Sequence, residues 1–110
     1  MNTHEQVRSK LAHHAAQAEQ TGTPPGKAVT WEIIHDMENA WRTEPVKVRT
    51  ANRRACLRYL FGVDSTKQLT PWQIAAMRVW MLSSPDREAE LHAVLKAALV
   101  AAGQLAIDIV

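Results

Sequence analysis

The sequence predicts an all-α protein, a compact four- to five-helix bundle with a peripheral N-terminal helix. Three observations predict it. Apolar residues recur every three or four positions along most of the chain, the spacing that places them on one side of a helix. Between those stretches stand residues that stop and start helices: the Gly22 to Gly26 segment with its two prolines, Pro45, Gly62, Thr70-Pro71 and Ser84-Pro85. With 110 residues, 46% apolar and 22% charged, the chain has the size and composition of one folding domain rather than of a disordered or fibrous protein.

The first helix is expected from Thr3 to Gln20. Thr3 and Gln6 have capping-box spacing, and Val7, Leu11, Ala15 and Ala18 form an apolar stripe. That stripe is thin, so residues 1–20 are read as an arm lying on a narrow seam of a core domain at 28–110. The segment Thr21 to Lys27 is the linker, because its prolines lack amide donors and its glycines raise the entropy cost of helix. A second helix is expected from Trp31 to about Arg42, with Thr30 as N-cap and Val29 and Ile34 as a hydrophobic staple. Its inward face reads as Trp31, Ile34, Met37 or Glu38, and Trp41, with Ile33 and Ala40 widening the strip. Thr43-Glu44-Pro45 ends it, since the residue before a proline avoids the helical region.

The third helix starts at Val46 or Val48 and runs to Phe61, and Gly62 supplies the left-handed cap. Cys56, Leu57, Leu60 and Phe61 form its inward side. Arg54 and Arg58 lie opposite, and Arg49 and Arg53 stand closer to the apolar edge. Leu69 to Ile74 is the strongest local signal: Thr70 as N-cap, Pro71 at the first helical position, Gln73 at the third, and a Leu69–Ile74 staple. The helix it opens runs to about Ser83 and is apolar almost all round, as a central helix would be. Ser84, Pro85 and Asp86 restart the chain into a fifth helix that Gly103 closes. Its apolar positions are Ala89 or Leu91, Val94 or Leu95, Ala98 or Leu99, and Ala102. The tail from Gln104 to Val110 is too apolar for free solution, and is expected to fold back or to meet another chain.

Composition excludes several functions. No stretch approaches the roughly 18 apolar residues of a membrane span, and the N-terminus lacks the apolar core of a secretion signal, so the expected location is cytoplasmic. The single cysteine, Cys56, has no partner for a disulfide or zinc knuckle and reads as a small buried apolar residue. His4, His13, His14, His35 and His92 show no metal-ligand spacing, and no nucleophile elbow, phosphate loop or paired carboxylates occur. Neither catalysis nor a cofactor is expected. The four tryptophans serve the core first; Trp72, near Lys67, is the one read as a possible stacking face for an unpaired base.

Charge distribution says more than the net charge of +2. From Arg42 to Arg58 six basic residues face one acid, Glu44, so this window carries +5 and the remainder of the chain −3. Such polarity steers an anionic partner to one face. Arginine holds four of the five basic positions from Lys47 to Arg58, and its planar fork matches phosphate oxygens. The expected nucleic-acid contacts are Lys47, Arg49, Arg53, Arg54, Arg58 and Lys67.

Within Arg53 to Met81, the order Leu57, Leu60, Phe61-Gly62, Ser65, Lys67, Leu69-Thr70 and then an apolar helix resembles a helical module of phage-type DNA recombination and regulatory proteins. The resemblance extends to the tails of single-strand annealing recombinases and covers about a quarter of this chain; Trp72 and Trp80 are heavier than that pattern carries. It implies an association with DNA metabolism and no reaction of its own. The expected function is a non-enzymatic accessory protein that binds single-stranded DNA. The alternative is a small protein-interaction adaptor or inhibitor that assembles through residues 105–110.

Overall fold

Each helix begins and ends where local hydrogen bonding permits. The computed structural model describes residues 2–22 and 28–103, and all of their regular structure is helical. The first helix, α1 (Thr3–Thr21), is capped by Asn2. Asn2 Oδ1 accepts from the Glu5 amide and Asn2 Nδ2 donates to Glu5 Oε1, both at 3.1 Å, so the reciprocal cap sits one residue before the Thr3–Gln6 pair that the sequence suggested. Gly22, at φ +73°, terminates α1 in the left-handed conformation that a side chain disfavours.

The next helix, α2 (Ala28–Glu38), starts three residues earlier than expected and ends in a 3-10 turn at Asn39–Trp41. That earlier start brings Val29 into the helix, and the buried stripe becomes Val29, Ile33 and Met37, continued by Ala40 and Trp41. Thr30 is therefore no cap. Trp31, two residues on from Val29, lies about 200° around the axis and stands 73% exposed, the reverse of its expected burial. Beyond Pro45, α3 (Val46–Phe61) and its Gly62 cap match the sequence reading.

A second 3-10 turn, Thr66–Gln68, leads into α4 (Pro71–Ser83), which opens on the expected capping box. Thr70 Oγ1 accepts from the Gln73 amide at 3.2 Å and Gln73 Oε1 accepts from the Thr70 amide at 2.9 Å. The last helix, α5 (Arg87–Ala101), begins after Asp86, not after Ser84. Ser84 closes α4 instead, and its hydroxyl is committed to Glu90. Gly103 follows α5 at φ +73°; residues 23–27 and 104–110, which hold most of the expected linker and the apolar tail, lie outside the described residues.

The five helices form a compact bundle around one core. Helix α4 packs on α1 and α2, α5 packs on α1 and α3, and α2 also meets α3. Val7 and Leu11 of α1, Ile33 and Met37 of α2, Cys56 and Leu57 of α3, Met77 and Trp80 of α4, and Leu91 and Val94 of α5 all join the core. Each larger side chain among them contributes about 1.5–3 kcal/mol when fully covered. The seam of α1 is narrow: Val7 and Leu11 are buried, and most of its other residues face solvent. Burial also pushes the Cys56 thiol up to about 12, so it sits in the core as a neutral apolar side chain.

Candidate nucleic-acid interface

Helix α3 divides its cations between two sides. Positions 47, 51, 54 and 58 fall on one line of a helix with 3.6 residues per turn, a ridge about 16 Å long. Lys47, Ala51, Arg54 and Arg58 occupy it, and all four are exposed. Arg58 Nε meets Asp64 Oδ1 at 3.1 Å, with both side chains more than half exposed. A pair so open to water contributes about 0–1 kcal/mol, so an incoming phosphate displaces it readily. Lys67 is also exposed, in the 3-10 turn between α3 and α4.

Arg53 does not belong to this ridge, contrary to the expectation from the sequence. It precedes Cys56, Leu57 and Leu60 by three, four and seven residues, which places it on the inward face of α3, and it is only 7% exposed. Its Nε donates to Glu38 Oε2 at 2.8 Å and its Nη1 to Thr66 Oγ1 at 2.6 Å. The guanidinium is thus neutralised, and it ties α2, α3 and the second 3-10 turn together. Arg49 also leaves the ridge: it is half-buried on the side facing α2, and its Nε is shielded from water with no acceptor.

A groove of about 770 Å³ runs along the outer side of α2 toward the first turn of α3. Trp31, Ile34, His35, Arg42 and Arg49 line it, together with three carboxylates. Two of those are opposed by arginines: Glu38 by Arg53, and Glu32 by Arg78 at 3.7 Å. Arg42 reaches across to Glu88 at 3.1 Å. Trp72, the stacking candidate read from sequence, is half-buried; Trp41 and Trp80 are buried, and Trp31 alone of the four is exposed. Periodicity could not have found this, because Trp31 fits a helical stripe of its own.

Among the described residues no three histidine, cysteine or carboxylate side chains come together as a metal site would need, and no helix is long and apolar enough to cross a membrane. Glu90 accepts from Trp80 Nε1 at 3.1 Å, from the Ser84 hydroxyl and from Lys10 Nζ at 3.4 Å, which joins α1, α4 and α5. Comparisons with protein-family models, characterised proteins and solved structures return no match.

Proposed function

We propose that this protein is a non-enzymatic, nucleic-acid-associated accessory protein that binds single-stranded DNA through the outward ridge of α3, in recombination or phage-related DNA metabolism. One observation carries the reading: Lys47, Arg54 and Arg58 share a single exposed line. Three cations along one rigid element, spaced at about 10 and 6 Å, meet phosphates of one strand once Asp64 gives up Arg58, and the mildly acidic remainder of the chain disfavours approach from other directions. Lys67 extends the cationic surface toward the α3–α4 connection, and Arg49 and Arg53 drop out of the ridge. The resemblance of residues 53–81 to a module of phage-type recombination proteins supports DNA as the polymer, and in the structure that segment is the end of α3, its glycine cap, the 3-10 turn and α4.

Binding of this kind is dominated by counterion release. About three neutralised phosphates on a single strand give a slope of about −2 when log affinity is plotted against log salt, or roughly a fifteen-fold loss over a four-fold rise in salt. The test is a salt titration of a labelled oligonucleotide by fluorescence anisotropy. The variant carrying Arg54→Glu and Arg58→Glu should bind about ten-fold more weakly or worse, with a flatter slope. No binding by the natural sequence, or equal binding by the variant, would remove the proposal.

A further inference from the structure

We infer that the groove beside Trp31 is the site where one unpaired base of the bound strand stacks, so that α3 holds the backbone and α2 reads the single-stranded state. The inference rests on the DNA-binding reading above and adds what that reading lacks, a reason to prefer a single strand over a duplex.

Trp31 is the anomaly that points there. An indole is a large apolar surface that folding normally covers, yet this one is 73% exposed while the smaller residues Val29 and Ile33 beside it are buried. It stands at the groove with Ile34 and His35, which give the space an apolar wall and a second ring. Stacking on such a platform needs a free base face, which a paired base inside a duplex does not offer.

The electrostatics fit a base better than a phosphate at the centre of the groove. Glu32 and Glu38 are each opposed by an arginine, which leaves Asp36 as the lining carboxylate with no ion-pair partner among the described residues and makes the groove close to neutral. At its α3 end stands Arg49, half-buried and in no ion pair among the described residues. A guanidinium held there without a counter-charge supplies the anchor for the phosphate attached to a stacked nucleotide. Arg49 and Lys47 occupy the first turn of α3 on opposite sides, so a strand leaving the groove crosses the beginning of α3 to reach the exposed ridge.

Trp31 buries little, so replacing it leaves the core intact, and circular dichroism provides the check. The probe is a short fluorescein-labelled homothymidylate oligonucleotide, alongside a labelled duplex. Trp31→Ala should weaken homothymidylate binding about ten-fold at fixed salt while keeping the salt slope, and Trp31→Phe should retain most of the affinity. Duplex binding should respond to neither. Unlabelled homothymidylate should quench the tryptophan emission of the natural sequence, and Trp31→Ala should abolish that quenching. If the natural sequence fails to bind in the salt titration, the DNA reading falls and this inference falls with it. If it binds with the expected salt slope and Trp31→Ala binds equally well, the groove assignment alone is overturned. A change in light-scattering mass on Trp31→Ala with unaltered oligonucleotide affinity overturns it as well, and assigns the indole to contact between copies of this chain.

Discussion

Arg53 and Arg54 are adjacent in sequence and opposite in role. The first is enclosed between Glu38 and Thr66, and the second faces water. Removing one partner of a buried pair leaves the other charge uncompensated, so Arg53→Ala should lower stability by about 3–5 kcal/mol, measured by urea denaturation followed by circular dichroism. Arg54→Ala should change stability by less than about 0.5 kcal/mol and weaken oligonucleotide binding instead. The two measurements separate a structural cation from a binding one. An Arg53→Ala protein as stable as the natural sequence, with weakened DNA binding, would return Arg53 to the binding surface.

At the scale of elements, local chemistry decided some boundaries and packing decided others. The start of α4 was legible because Thr70, Pro71 and Gln73 satisfy the free amides of the first turn using neighbours in sequence. Thr70→Ala removes the acceptor for the Gln73 amide and should cost about 1 kcal/mol in the same denaturation measurement, with no effect on DNA affinity. The face of α2 was not legible in the same way. Val29, Ile33 and Met37 make one helical stripe, and Trp31, Ile34 and Glu38 make another; α3 and α4, which pack against α2, select between them. Taking Thr30 for a cap excluded Val29 and so favoured the wrong stripe. Ser84 misled for a related reason: its hydroxyl accepts from the Asp86 amide at 3.3 Å and donates to Glu90, yet the helix itself starts only after Asp86. The ridge of Lys47, Arg54 and Arg58 follows from helical spacing alone. The inward position of Arg53 follows from the same spacing, which already set it at the apolar edge; what the spacing does not show is that Glu38 and Thr66 hold its guanidinium there.

Across the whole molecule, α1 depends on a few contacts beyond its narrow apolar seam, and one of them titrates. Arg8 lies 4.1 Å from the centre of the Tyr59 ring and donates to the Tyr59 carbonyl at 2.7 Å, which fixes the first half of α1 to α3. Lys10 reaches Glu90, which is also held by Trp80 of α4 and by Ser84. Burial alone pushes the Glu90 carboxyl up. The hydrogen bonds from Ser84 and Trp80 and the charge of Lys10 outweigh that and hold it below its ordinary value of 4.5. A carboxyl with a depressed value in the folded state stabilises the fold fully above its unfolded value, and this stabilisation is lost as pH falls through the folded value. The bundle should therefore lose stability from about pH 4.5 downward as Glu90 takes up a proton and the contacts joining α1, α4 and α5 loosen together. Glu90→Gln keeps the size of the side chain and removes its titration. The variant should be less stable than the natural sequence near neutrality, and the gap between their melting temperatures should narrow as the solution is acidified. A gap that stays constant from neutral pH into the acid range would show that Glu90 is not the acid-sensitive joint of the bundle.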